Sequence, residues 1–413
     1  MKKTFGALLV LLLFLLSTWN INAQPPGRHT AEFMEYKNHF RENLKKKLEE
    51  KTEEEKPEKE FKMDVKGLDV PESIDEFKQA WHVPTVSQGL TGSCWAFSSI
   101  SFLESESCRR SGKKISLSPM FAVYWEYVEK ARRFVEKRGD SRFSKGSQPN
   151  ALIRVCRKYG AVPLELFPGR KDNLDFYHTG DMFDEMDSYL ESVKERNAWN
   201  EEQVIATVRS ILDHYMGRPP DEITIEGDAM TPRQYVQNVL KLDLDEYIDV
   251  MSLKEKPWFE KVEYEVPDNW WHSRDYYNVP LEDFMKIIKS AIRNGYSICI
   301  VGDNSESGFL YYNDVALIPS YDIPSKYIDD NARQMRFTSG ATSDDHAIHL
   351  VGYCERDGKD WFLIKDSGTK SRNGNVKGYM FYHEDYVKLK MMNLLVHKKA
   401  VEEALGKIDL SDE

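Results

Sequence analysis

Near residue 290 the sequence changes character, and that change narrows the folds open to it. Upstream, apolar residues recur at helical spacing. A helix is expected from Cys94 to about Glu104. A second is expected from Ala151 to Tyr159, where Ala151, Leu152, Val155, Cys156 and Tyr159 make one stripe and Gly160 follows as a C-cap. The stretch 170–290 is polar, rich in aromatics and mostly helical in pattern, with Thr231-Pro232 marking a helix start. Downstream, Tyr296 to Val301, Ala347 to Tyr353, Trp361 to Lys365 and Tyr379 to Tyr382 read as strands. Helices first and strands later point to an α+β fold. No internal repeat is present. A chain of 413 residues with 41% hydrophobic residues can bury a large core, as one big domain or two to three of average size.

The N-terminus is set apart from that body. Lys2 and Lys3 precede an apolar run from Phe5 to Leu16, and a small-residue end follows at Ala23. This is the order of a secretory signal, with cleavage expected after Ala23. The run has 12 residues, below the ~17–25 that span a bilayer, so no stable membrane anchor is expected. The expected destination is the periplasm or the medium. Residues 24–80 form a charged segment and linker ahead of the main body, 81–413. Within it, 41–60 carries seven basic and eight acidic residues and reads as a solvated helix rather than a pro-segment.

Charge and cysteine content remove other classes. Lys and Arg number 57 against 68 Asp and Glu, a net charge of −11, which argues against a nucleic-acid partner. Five cysteines are too few, and odd in number, for a disulfide framework. No paired-Cys or His-Glu-x-x-His metal motif and no phosphate-binding Gly loop is present, so neither metal nor cofactor is expected.

The chemistry concentrates in three strings. In Val86-Ser87-Gln88-Gly89-Leu90-Thr91-Gly92-Ser93-Cys94-Trp95-Ala96-Phe97, a Gly-containing loop passes straight into an apolar helix. Backbone N–H groups and the positive end of the helix dipole favour a thiolate at Cys94. Gln88, six residues upstream, can donate its side-chain amide to a developing oxyanion together with the Cys94 N–H. Cys108, Cys156, Cys299 and Cys354 lack such a loop and read as inert. A thiol nucleophile needs a base, and His346 stands at a strand entry in Asp344-Asp345-His346-Ala347-Ile348-His349. His349, three residues on, is expected on the opposite face as a surface or core residue. Asp366, in Leu363-Ile364-Lys365-Asp366-Ser367-Gly368-Thr369, can orient the imidazole.

Together these strings resemble papain-like cysteine peptidases, whose nucleophile signature is Gln-Gly-x-Cys-Gly-Ser-Cys-Trp-Ala-Phe-Ser. Thr91 replaces the first cysteine of that signature, as in the bleomycin hydrolase/aminopeptidase C branch. Asp366 replaces the family's Asn, and the Trp that shields the His–Asn hydrogen bond is missing. Cys94 and His346 lie 346 − 94 = 252 residues apart. Against a papain spacing of ~130–150, this implies roughly 110 inserted residues, placed at 170–290. Thr231-Pro232-Arg233-Gln234-Tyr235, the stretch from Asn278 to Gly302 and His397-Lys398-Lys399 also resemble that branch. The resemblance implies a two-lobed fold with a helical insertion, peptide substrates and a ring-shaped hexamer. It also implies aminopeptidase action, with an open-cleft endopeptidase as the alternative and a non-catalytic peptide binder as a third reading. By the same resemblance, the Gly146-Ser147 stretch offers its backbone to an extended substrate.

Overall fold

The computed structural model describes residues 29–48, 59–170, 174–402 and 404. The expected signal segment and residues 49–58 lie outside the described residues.

The helical lobe is built on the Cys94–Ser111, Pro119–Glu136 and Asn150–Tyr159 helices, joined by Gly180–Glu195 and Glu201–Met216. Ser118 caps the second of these by accepting from the Phe121 N–H, with Pro119 at the first helical position. The expected helix at Ala151–Tyr159 is present. The Cys94 helix runs to Ser111, beyond the expected end at Glu104, and Gly112 closes it in a left-handed conformation. Its middle turns carry buried Ser98, Ser99, Ser101, Glu104, Ser105 and Ser107, so this helix is covered on several sides and shows no apolar stripe to read.

The second lobe is a mixed sheet of eleven strands among the described residues. At its centre lie Lys359–Lys365, His346–Arg356, Ile298–Gly302 and Met391–His397, paired antiparallel in that order. Alternation along Ile298–Gly302 divides the two cores. Cys299 and Val301 join the core under the helical lobe, while Ile298 and Ile300 join the core on the other face beside the Leu281–Arg293 helix. Burial on both faces explains the continuous apolar run of the strand.

The expectation of a mostly helical 170–290 stretch holds only in part. Beyond Met216 it contains the Pro232–Asn238 helix, and then the Tyr247–Met251 and Tyr276–Asn278 strands extend the large sheet through Met391–His397. These strands are only five and three residues long, too short for a period to show. The charged N-terminal segment also departs from a single surface helix. Ala31–Glu35 and Lys59–Met63 pair antiparallel, and among the described residues of this segment the helix is His39–Lys47, while 49–58 of the expected helix lie outside them.

Candidate active site

The Cys94–Ser111 helix begins at the proposed nucleophile itself. The Ser93 carbonyl accepts from the Ala96 and Phe97 N–H groups, at 2.9 and 3.2 Å. The first N–H groups of a helix have no partner inside it, so those of Cys94 and Trp95 are donors beside the sulfur. The loop ahead is held by its glycine. Gly89 has φ +63°, and a Cβ there would come within 2.2 Å of the Tyr177 carbonyl oxygen, so no other residue fits.

Gln88 is buried and fixed at both ends of its amide. Its Oε1 accepts from Ser367 Oγ at 2.8 Å, and its Nε2 donates to the Thr91 carbonyl at 3.0 Å. The Gln88 N–H also donates to the Ser367 carbonyl at 2.8 Å. An amide nitrogen carries two protons, so one remains to meet a ligand oxygen. Ser367 sits beside Asp366 in the sequence, yet this clamp was not legible there. The contact spans 279 positions.

His346 is the first residue of its strand, opposite Gly302. Its Nε2 lies 2.8 Å from Asp366 Oδ1, which leaves Nδ1 for the Cys94 sulfur, whose charge acts on the same ring. Burial works against a charged imidazole, but the Asp366 carboxylate and the Cys94 sulfur outweigh it and raise the His346 pKa well above 6.5. Asp366 shows the mirror effect. Burial alone would raise it, yet the His346 ring, the Gly368 N–H and the Arg372 guanidinium hold it below 3.8. The arrangement therefore favours an imidazolium beside a carboxylate, poised against a sulfur.

The absent indole has a replacement in the main chain. Gly368 N–H donates to Asp366 Oδ1 at 2.7 Å. A Cβ on Gly368 would lie 3.1 Å from that oxygen and 3.3 Å from His346 Nε2, so the glycine backbone itself packs over the His–Asp contact.

The other candidates are placed differently. His349 is fully buried, with Nδ1 2.8 Å from Ser101 Oγ on the nucleophile helix, so it belongs to the core. Burial pushes the Cys156 thiol up to about 12 and the Cys354 thiol up to about 11, and raises Cys299 as well. All five cysteines are free thiols. The Gly146 carbonyl already accepts from the buried Lys130 ammonium. Ser147 turns inward and donates to Glu126 Oε1 at 2.6 Å, so its hydroxyl serves the fold and does not face a substrate. Among the described residues, no group of three His, Cys, Asp or Glu side chains could hold a metal ion.

Known proteins resemble this chain in sequence and in fold. Aminopeptidase G of Lactobacillus delbrueckii subsp. lactis is 21% identical over 361 residues, covering 76% of this chain and 80% of that protein. The bleomycin hydrolase of Gallus gallus is 21% identical over 396 residues, covering 81% and 85%. The crystal structure of pepw from Lactobacillus rhamnosis superposes with a TM-score of 0.65 at 17% identity, covering 79% of this chain and 84% of that one. The overlap is one of fold, α+β and papain-like. The model of the Peptidase C1-like family matches residues 29–411, and the chain belongs to that family of papain-like cysteine peptidases.

Proposed function

We propose that this chain is an aminopeptidase that removes N-terminal residues from peptides through Cys94, His346, Asp366 and Gln88. The observation that carries the reading is the 2.8 Å contact of Asp366 Oδ1 with the His346 ring, on which the Cys94 sulfur also acts, beside a Gln88 amide held at both ends. His346 takes the thiol proton, and the sulfur attacks the substrate carbonyl carbon. The second Gln88 Nε2 proton and the Cys94 N–H donate to the oxyanion. As the C–N bond breaks, the imidazolium gives its proton to the leaving amine. Water, deprotonated by the same ring, then attacks the thioester and releases the acid. Asp366 keeps the ring in one orientation and balances its charge throughout.

The aminopeptidase step rests on the names of two relatives, an aminopeptidase and a bleomycin hydrolase. Two measurements test it. Cys94→Ala should abolish hydrolysis of aminoacyl-coumarins, and wild-type turnover in that variant overturns the nucleophile assignment. The wild type should cleave alanyl-coumarin and leave its N-acetyl form intact; equal cleavage of both favours an endopeptidase. Export is proposed on Lys2, Lys3 and the Phe5–Leu16 run alone. Protein recovered from the medium or periplasm should then begin at Gln24, and an intact Met1 terminus in the cytosolic fraction overturns export.

A further inference from the structure

Asp366 brings a negative charge to a position where the papain-like pattern has a neutral amide. Its side chain is 1% exposed, so water does little to solvate that charge. His346 cannot be its standing countercharge, because the ring gives up a proton in every turnover. A second cation lies in the same loop. Arg372 closes the short turn Lys370–Arg372 that follows Asp366.

The fold holds that arginine beside the Asp366 backbone. The Asp366 N–H donates to the Gly378 carbonyl at 2.9 Å, and the Gly378 N–H donates to the Ser371 carbonyl at 2.8 Å. Ser371 Oγ in turn donates to the Gly368 carbonyl at 3.0 Å. Gly378 therefore sits between Asp366 and the peptide that joins Ser371 to Arg372. It also makes the room the side chain needs. Gly378 has φ +83°, and a Cβ there would come within 2.8 Å of Arg372 Cζ and 2.7 Å of Thr85 Oγ1. Only a glycine lets the guanidinium lie this close to the residue that binds the Asp366 N–H.

The guanidinium has little else to pair with. Its Nη1 donates to Thr85 Oγ1 at 3.2 Å, and Thr85 gives its own proton to the Lys377 carbonyl at 3.1 Å. Arg372 Nε and Nη2 are shut off from solvent and have no hydrogen-bond partner. A cation held this way needs a nearby anion. The groups that support its charge are Asp366 and Tyr379, and burial keeps Tyr379 a neutral phenol. Lys365, at the end of the strand before Asp366, is repelled by it. The titratable neighbours of Asp366 are His346, Arg372 and Tyr382, and burial keeps Tyr382 neutral as well. Asp366 and Arg372 are thus opposite charges with few other partners.

We propose that Arg372 is a positioning residue for the reaction, the fixed countercharge that lets a carboxylate serve at 366 in place of an amide. It acts through Asp366 and not on the sulfur. When His346 yields its proton to the leaving amine, Asp366 loses one positive neighbour and keeps the other. It therefore stays a carboxylate, and the ring stays oriented for the next proton transfer. Without Arg372, Asp366 would bind a proton more readily, and a protonated Asp366 no longer balances the imidazolium. This role rests on the thiol mechanism proposed above and on no particular substrate.

The test follows the acid limb of the kcat/KM profile, and of Cys94 alkylation by iodoacetamide, in the wild type, Arg372→Met and Arg372→Lys. A carboxylate whose pKa is held low serves above that pKa and fails as pH falls through it. Arg372→Met lets that pKa climb, so the acid limb should move up by on the order of 1 pH unit. Arg372→Lys keeps the charge and should hold the limb near its wild-type position. Arg372→Gln carries the same expectation as Arg372→Met should the latter not fold. A limb unmoved in the neutral variants, or moved alike in Arg372→Lys, overturns the proposal. Thermal midpoints give a measure that needs no turnover. In the wild type, Arg372→Met removes a charge partner and should lower Tm. In Asp366→Asn it removes an unpaired, half-buried cation and should raise Tm. The same sign in both backgrounds overturns the proposal and makes Arg372 a packing residue. Wild-type turnover in Cys94→Ala overturns the thiol mechanism instead, and the Tm comparison still decides whether the two charges are paired.

Discussion

Asp366 stands where the papain-like pattern that the chain resembles has Asn. An Asn there would orient the imidazole by hydrogen bonding alone; an Asp adds a full charge. Asp366 and the Cys94 sulfur hold the His346 pKa above its ordinary value despite burial. A raised histidine pKa favours the charged ring up to that pKa, so the ion-paired form persists further into alkaline pH. Asp366→Asn should keep activity near pH 6 and move the alkaline limb of the kcat/KM profile down by about 1–3 pH units. An unmoved limb would show that the carboxylate does not set the imidazole charge. The site was legible at this scale because Cys94, His346 and Asp366 each sit in a string whose residue types are dictated by the chemistry. Ser367 acts on Gln88 through a contact distant in sequence, which no local pattern records.

Among the elements, the N-terminal segment is the least expected. Its composition reads as a solvated helix, yet it is anchored to the β lobe. Tyr36 is buried, with its ring 4.4 Å from Tyr311 and 4.9 Å from Tyr312. The buried Lys62 ammonium lies 4.6 Å from the Tyr36 ring centre. Asn38 Nδ2 donates to Thr369 Oγ1 at 2.8 Å, and Asn38 Oδ1 accepts from Asn373 Nδ2 at 3.0 Å, close after Gly368. These contacts belong to a built-in part of the fold. A chain beginning at Gln24 should therefore be active without cleavage. A chain beginning at Val70 should lose on the order of 5–10 °C in Tm, from a few kcal/mol of lost aromatic burial. Activity that appears only after removal of residues 24–69 would make the segment inhibitory instead. Other elements went unread for a plain reason. Met391–His397 is buried along its whole length, and a short, mostly apolar run broken by Asn393 does not distinguish strand from helix.

At the scale of the whole molecule, the two lobes meet along a polar seam, an arrangement that composition could not reveal. From the nucleophile helix come Ser101 and Glu104; from the sheet come His349 and Lys365. Lys365 Nζ donates to Ser101 Oγ at 2.7 Å, and Glu104 Oε1 accepts from the Leu117 N–H at 2.8 Å. Burial raises the Glu104 pKa, and the Lys365 charge pulls it back. Burial likewise lowers Lys365, with Glu104 opposing. Neither charge would survive there alone. Lys365→Met removes the cation that restrains Glu104, so the folded-state pKa of Glu104 climbs further. A carboxyl raised in the folded state binds its proton more tightly than in the unfolded chain, so stability is full below the ordinary value of 4.5 and is lost as pH rises from there through the folded pKa. Lys365→Met should thus be close to wild type near pH 4.5 and on the order of 1 kcal/mol less stable at pH 8, since Glu104 of the wild type already titrates at about 7. Adding Glu104→Gln keeps the acceptor for Leu117 and removes the charge, so the double variant should recover most of the loss and its pH dependence. Urea midpoints at several pH values measure both effects. A Lys365→Met penalty that does not change with pH would mean that packing, and not the Glu104–Lys365 charge pair, holds the lobes together at this seam.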